Sequence, residues 1–328
     1  MSTEFFNKPW IEKYRPECLN DVVGNNEIVS QLRIIAKEGN LPNMILVGPP
    51  GTGKTTSIMA LAHELLGDNF KKATLELNAS DDRGIDVVRE KIKSFATLKI
   101  PLPPGKHKIV ILDEADSMTE SAQQAMRIII SDYSSSTRFA LACNDSTKII
   151  EPIQSRCSML RFAKLKPDEI KARLHKIISI ENIPFEPKGV DALIETSEGD
   201  MRYALNNLQS TFVGFGKVTH DNVYKIVDIP KPEMLLNIIN CLQNGNMQQA
   251  LDNVDLLIDD GYTALDIVNV IGKIIQEIKG IEDKTRFEML KEVSKVKMRI
   301  LDGIDSQVQI YGFLAEIYDL FKADNAMN

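Results

Sequence analysis

An α/β domain built on a parallel sheet, followed by all-helical segments, is the fold this sequence predicts, on three observations. The apolar run Met44–Val47 enters G-x-x-x-x-G-K-T at Gly48-Pro49-Pro50-Gly51-Thr52-Gly53-Lys54-Thr55, a strand feeding a glycine-rich turn and then a helix. From about Asn43 to Phe162 short apolar strands alternate with helix-period stretches, the pattern of a sheet covered on both faces. After Lys166-Pro167-Asp168 the strand pattern stops, and helical periodicity continues into the last residues.

The elements follow in order. Strands are expected at 44–47, 73–78, 109–112, 138–143 and 158–162, with helices between them at Thr55–Leu66, Ile85–Phe95 and Ser121–Ile130. Pro167 followed by Asp168 and Glu169 is a helix start, because proline suits the first turn and acidic side chains suit the positive end of the helix dipole. Helices are then expected at 168–181, 188–197, 200–212 and 219–227, and Ile229-Pro230-Lys231-Pro232 is a break that no helix continues through. The remaining stretch is helical, with turns at Asn244-Gly245-Asn246 and Asp260-Gly261. Leu265, Ile267, Val268, Val270, Ile271, Ile274, Ile275 and Ile278 cover most of one helix surface. Such a helix needs neighbours on several sides, as the centre of a bundle or at a subunit interface.

Composition narrows the function. With 328 residues the chain exceeds one typical domain, and its formal charge of −7 excludes a uniformly basic nucleic-acid binder, leaving only local patches for that role. Cys18, Cys143, Cys157 and Cys241 lie far apart without a C-x-x-C pair, which predicts reduced thiols rather than zinc or a disulfide framework. The opening Met1-Ser2-Thr3-Glu4 lacks the basic start and apolar core of a signal peptide, and no apolar run approaches the roughly 20 residues of a membrane span.

The chemistry begins in the glycine-rich turn. Gly48, Gly51 and Gly53 let the backbone curl so that N–H groups of Pro50 to Thr56, proline excepted, point at phosphate oxygens where the next helix starts. Lys54 reaches the β- and γ-phosphates of a nucleoside triphosphate such as ATP, and Thr55 offers a hydroxyl to Mg2+, a hard cation that takes oxygen ligands. Lys108–Asp116 is an apolar strand ending in Asp113-Glu114-Ala115-Asp116, the Walker B partner of such a loop. Asp113 belongs in the Mg2+ shell, and Glu114 polarises the attacking water, which needs a proton acceptor. Asn144, after the next strand, both donates and accepts hydrogen bonds and so suits the γ-phosphate and the water; alone, an asparagine at a strand end is more often a turn residue. Arg156, in Ile153-Gln154-Ser155-Arg156-Cys157, and Arg202, in Gly199-Asp200-Met201-Arg202, supply guanidinium groups for phosphate charge or are solvated surface arginines.

Walker A, Asp-Glu-Ala-Asp, Ser-Arg-Cys and Gly-Asp-Met-Arg in this order resemble the clamp-loader branch of the AAA+ ATPases. The chain is most similar to small subunits of eukaryotic replication factor C, of the subunit 2 or subunit 4 type. Pro9-Trp10-Ile11-Glu12-Lys13-Tyr14-Arg15-Pro16, Leu77-Asn78-Ala79-Ser80-Asp81-Asp82-Arg83-Gly84, Leu102–Lys108, Glu151–Cys157, Asn206–Ser210 and Met298–Gly303 carry the likeness. It implies a RecA-like AAA+ core at 1–165, a helical lid at 166–228 and a helical collar at 229–328 that joins four related subunits. It also implies an ATP-driven machine of the nucleus that opens the sliding clamp PCNA and places it on primer-template DNA. By the same likeness Arg156 acts in trans on a neighbour's nucleotide and Arg202 in cis, while Tyr14, Arg15, Pro16, Val22 and Val23 lie against the adenine. Two other readings share the nucleotide site: a different AAA+ motor, which should lack Ser-Arg-Cys and the collar, and a scaffold subunit that binds ATP without hydrolysing it.

The resemblance also assigns outer surfaces. Arg83, Arg89 and Lys93 fall on or just before one helix, and Arg127 on another, where cations would meet the DNA backbone irrespective of base sequence. Ile128 and Ile129-Ile130-Ser131 stand where relatives usually show an arginine and Thr-Met-Glu, which departs from the polar surface expected of that helix. Ile92 and Phe95, one turn apart, either fill a hydrophobic pocket on the clamp or pack on their own sheet.

Overall fold

The computed structural model describes residues 8–79, 85–103, 105–278, 281–304 and 306–327, with 85–89 and 324–327 described by backbone alone. The chain divides between Val223 and Tyr224 into two compact units.

The first unit holds five parallel strands, β1 (Met44–Val47), β2 (Thr74–Asn78), β3 (Lys108–Asp113), β4 (Thr137–Cys143) and β5 (Ser158–Arg161), in the order β2-β3-β4-β1-β5. Its helices before the last strand are α1 (Trp10–Lys13), α2 (Asn26–Glu38), α3 (Lys54–Leu66), α4 (Phe70–Ala73), α5 (Ile85–Thr97), α6 (Glu120–Asp132) and α7 (Glu151–Gln154). Side chains alternate between faces along a strand, so the sheet presents two apolar surfaces. Met44, Leu46, Ile109, Ile111 and Ala140 pack with Val29 and Leu32 of α2 and Ile58 and Leu61 of α3. Ile45, Val47, Val110, Leu112, Phe139 and Leu141 pack with Ile92 of α5 and Met126, Ile129 and Ile130 of α6. Burial of both faces is the physical reason these strands read as apolar runs rather than as alternating patterns.

The predicted strands agree with the observed ones to within a residue at each end. Helix α2 has no counterpart among the predicted elements, although Ile28, Val29, Leu32 and Ile35 lie at helical spacing and Gly39 ends it in a left-handed conformation. The Ser155-Arg156-Cys157 segment is a turn that leads from the short helix α7 into β5.

Helices α8 (Pro167–Glu181), α9 (Pro187–Ser197), α10 (Met201–Phe215) and α11 (His220–Val227) complete the first unit and enter the second. Proline occupies the first turn of α8 and α9, and Asp200 caps α10 by accepting from Tyr203 N–H at 3.0 Å. Ile170, Leu174 and Ile177 of α8, Val190 and Leu193 of α9, and Ala204 and Leu208 of α10 are all buried, and these three helices pack on one another.

The second unit comprises α12 (Pro232–Gln243), α13 (Met247–Asp259), α14 (Ala264–Glu277), α15 (Asp283–Leu301) and α16 (Gln307–Met327). Helix α14 lies at the centre, packed by α12, α15 and α16, with Ile267, Val268, Ile271 and Ile275 fully buried in their shared core. Its all-round apolar surface is therefore accounted for inside this unit. Among the described residues no helix is long and apolar enough to cross a membrane.

Candidate nucleotide site

Strand β1 ends at Val47, and the next six residues turn around a cleft of about 460 Å³ before α3 begins. Gly51, with φ of 66°, leaves no room for a side chain: a Cβ there would stand 1.7 Å from Asp200 Oδ1. The same residue's carbonyl accepts from Met201 N–H at 3.2 Å. The phosphate-type loop and the start of α10 are thus bonded to one another through backbone. Buried Thr52 and Ser57 hold the turn, donating to the carbonyls of Pro49 at 2.8 Å and Gly53 at 2.7 Å.

Lys54 is buried, and its Nζ donates to Gly48 O at 2.7 Å, Pro49 O at 2.8 Å and Asn144 Oδ1 at 3.0 Å. Burial pushes its ammonium pKa down, against the attraction of the nearby Asp113 carboxylate. Thr55 Oγ1 donates to Asp113 Oδ2 at 2.9 Å, while Glu114 N–H donates to Asp113 Oδ1 at 2.9 Å. A hydroxyl and a carboxylate at the head of a buried strand form an oxygen donor pair that suits a hard divalent cation. Glu114 itself has φ of 52° and ψ of 39°, a left-handed conformation uncommon outside glycine. That backbone lets the chain turn away after β3 with Glu114 on the cleft wall.

Two carboxylates not singled out from the sequence build the frame. Asp116 Oδ2 accepts the N–H groups of both Asn144 and Asp145 at 3.2 Å, which fixes the end of β4 and with it the Asn144 side chain. Asp200 caps the helix that carries Arg202. Asp116 is legible as the last acid of Asp-Glu-Ala-Asp, whereas nothing local marks its partner 28 residues on.

The cleft is lined by Tyr14, Arg15, Pro16, Val22, Val23, Pro50–Thr56, Asp113, Glu114, Asn144 and Arg202, so the predicted residues converge from both ends of the first unit. Gly48 and Pro49 take part through their carbonyls on Lys54 rather than on the wall. Glu76, Cys143, Leu165, Arg173, Met201 and Leu205 also line it and were not expected. Arg173, on α8, donates Nη2–H to Tyr14 O at 2.6 Å, and burial lowers its guanidinium pKa. A lone arginine in an amphipathic helix carries no sequence signal for this placement.

Arg156 stands apart. It is exposed just after α7, donates Nη1–H to Pro152 O at 2.6 Å, and does not line this cleft. Lys93 is exposed on α5, and Arg127 is half-buried on α6 with its Nε enclosed and lacking a partner. Ile128 beside it is 49% exposed. Arg83 lies outside the described residues, and Arg89 is described by backbone only.

The pair Ile92 and Phe95 requires correction. Ile92 is 0% exposed and packs in the core beneath the sheet, with half-buried Phe95 against the same cluster. It shares the inner face of an amphipathic helix with Phe95, three residues on, so it has no surface to offer a partner. Leu98, just beyond the helix, is 57% exposed.

Residues 44–165 match the ATPase family associated with various cellular activities (AAA), and residues 230–316 match the replication factor C C-terminal domain. Over 312 residues the chain is 54% identical to replication factor C subunit 2 of Arabidopsis thaliana, spanning 95% of this chain and 93% of that protein. The chain belongs to the replication factor C small subunits. It is similar as well to replication factor C subunit 4 of Saccharomyces cerevisiae, with 52% identity over 95% of this chain and 96% of that one. The replication factor C small subunit of Staphylothermus marinus is 42% identical over 95% of each chain. Among solved structures, the Thermotoga maritima RuvB Holliday junction branch migration motor superposes with a TM-score of 0.53 at 18% identity, covering 70% of this chain and 79% of that one. That likeness establishes the AAA+ fold alone, whereas the replication factor C match at 230–316 separates this chain from other motors of the fold. As a replication factor C small subunit of eukaryotic type it is an AAA+ ATPase and a clamp-loader subunit, a component of a multi-subunit replication complex.

Proposed function

We propose that the cleft binds ATP with Mg2+ and hydrolyses it as one site of a nuclear, heteropentameric loader that opens the sliding clamp PCNA and sets it on primer-template DNA. The observation that carries this reading is the convergence of Lys54, Thr55, Asp113, Glu114, Asn144 and Arg202 on one cleft.

Mg2+ would neutralise charge on the phosphate oxygens, and the adjacent Thr55 hydroxyl and Asp113 carboxylate are the donors suited to hold it. Lys54 and Arg202 place positive charge at the phosphate end, from the loop and from α10. Glu114 takes up the proton of the attacking water, and Asn144 orients that water with its amide, its position set by Asp116. Pro16, Val22, Val23, Leu165 and Leu205 give the wall the apolar surface that a flat base requires. Arg156 faces outward, which supports its service to the nucleotide of an adjacent subunit. On this reading the chain is a core at 1–165, a lid at 166–228 and a collar at 229–328 that joins four related subunits. Lys93 and Arg127, with Arg83 and Arg89, remain the candidate contacts to the DNA backbone.

The test is Glu114→Gln in the assembled complex. Nucleotide binding by this subunit should persist while hydrolysis at its site falls about 100-fold or more, the usual contribution of a general base. Unchanged hydrolysis at that site would remove the assignment.

A further inference from the structure

The chain before β1 crosses the cleft as a strap anchored at both ends. At the lid end, Trp10 N–H donates to Gln209 Oε1 at 2.9 Å, and the Trp10 indole stacks on Phe212 of α10 with ring centroids 6.1 Å apart. Three residues on, Lys13 Nζ lies 2.6 Å from Glu181 Oε1, and Tyr14 OH donates to that same carboxylate. Arg173 clasps the Tyr14 carbonyl from α8. At the core end, Leu19 is fully buried against α2 and α3, and its N–H donates to Glu64 Oε1 at 2.7 Å. Between these anchors, Tyr14, Arg15 and Pro16 form part of the cleft wall, with Arg15 3.8 Å from Glu76 of β2.

Glu181 is not part of that wall. It is the last residue of α8, and its carboxylate accepts from two consecutive strap residues, one of which lines the cleft. We propose that Glu181 is a positioning residue for the nucleotide: by holding Lys13 and Tyr14 on the end of α8, it makes the Tyr14–Pro16 wall move with the lid. The inference rests on the reading of the cleft as the nucleotide site and names how lid position reaches the bound nucleotide at a place remote from the phosphate groups.

The charges agree with the geometry. Burial disfavours the Glu181 carboxylate, yet the hydrogen bonds from Lys13 and Tyr14 outweigh it and hold its pKa below the ordinary value. The same hydrogen bond raises the Lys13 pKa, and burial with the Glu181 bond raises that of Tyr14. At neutral pH the strap therefore meets α8 as an ammonium and a protonated phenol on a carboxylate, the stronger class of hydrogen bond.

Because Glu181 acts on the wall and not on the phosphates, its loss should weaken ATP and ADP equally. Hydrogen bonds to a charged group are the stronger class, so Glu181→Ala in the full chain should raise the Kd of fluorescent ADP and ATP analogues about tenfold or more, with their ratio unchanged. Glu181→Gln, which keeps an acceptor oxygen, should recover most of the affinity, and Tyr14→Phe should lose part of it, non-additively with Glu181→Ala. Asp191→Ala, which removes the Lys171–Asp191 surface pair reaching the same helix, should leave both Kd values as they are. If Glu181→Ala lowers the melting temperature while Kd stays at the wild-type value, or if Glu181→Gln is as weak as alanine, the proposal is overturned. Should Glu181→Ala not fold, Glu181→Gln and Tyr14→Phe decide: wild-type affinity in Tyr14→Phe overturns it. Failure of the cleft reading looks different, since neither analogue would then bind the wild-type chain or respond to Lys54→Ala.

Discussion

The Gly51 α-carbon faces the Asp200 carboxylate so closely that a methyl group on it would stand 1.7 Å from Asp200 Oδ1. The phosphate-type loop and the N-terminus of α10 are thereby a single joint, sealed by the Met201 N–H to Gly51 carbonyl bond. Movement of the loop around a phosphate must be felt at Arg202, one residue beyond Met201.

A double-mutant cycle tests that joint. Gly51→Ala should lower stability and nucleotide affinity through both the overlap and its φ of 66°. Asp200→Ala alone should cost about 1 kcal/mol as a lost helix cap. The double mutant should be less damaged than the sum of the two, by about 0.5–3 kcal/mol, because removal of the carboxylate makes room for the methyl group. Strict additivity in thermal or denaturant unfolding would show that the backbone angle alone excludes a side chain.

Arg156 is exposed and absent from its own cleft. On the proposal that Arg156 serves the adjacent subunit's nucleotide, Arg156→Ala in the assembled complex should slow hydrolysis there by about 10³-fold or more, the range of an arginine finger, while this chain binds nucleotide normally. Weakened binding by this chain with full activity next door would reverse the assignment.

Ile92 supplies core, not interface. Ile92→Ala should cost about 2–5 kcal/mol in unfolding free energy, as expected for a fully buried aliphatic side chain. Leu98→Ser, at an exposed position, should change stability by less than about 0.5 kcal/mol. A stable Ile92→Ala protein with impaired clamp binding would contradict the packing.

Burial raises the Cys143 thiol to about 11, with the Asp116 charge adding to it, and burial raises Cys157 to about 11 as well. At pH 7 each should form thiolate on the order of a few hundred-fold less than a free cysteine, and mass spectrometry after brief iodoacetamide treatment should find both largely unmodified. The folded pKa lies above the unfolded one, so the associated stability is complete below about pH 8.5 and is lost as pH rises toward 11. Wild-type unfolding free energy should therefore fall by up to about 3 kcal/mol more than that of Cys143→Ala across this window. Parallel slopes would show that the thiol ionises freely in the folded chain.

The α/β half was legible because its signals are contiguous. A buried strand, a glycine turn and a helix in one run of residues mark the nucleotide loop at Gly48–Thr55, and Asp113-Glu114 sits at the end of the apolar run of β3. Ile92 was not legible: the spacing that would present a side chain to a partner is the same spacing that buries it, and only packing against Val110 and Leu112 distinguishes the two. For α14, eight apolar positions demanded neighbours without saying whose; the structure supplies them from α12, α15 and α16.

By itself the sequence determined that a P-loop and a Walker B acid pair belong to one chain with a helical second half. It did so because local backbone geometry and side-chain chemistry are encoded within a few consecutive residues. The tertiary structure decided which distant residues hold the cleft walls in place: Asp116 under Asn144, Asp200 against Gly51, Arg173 and Glu181 on Tyr14. Tyr14 and Glu181 are 167 positions apart, and single hydrogen bonds across such a separation leave no periodicity or motif in the chain. They arise only when burial of the α8 and α10 cores has already brought the helices to the strap.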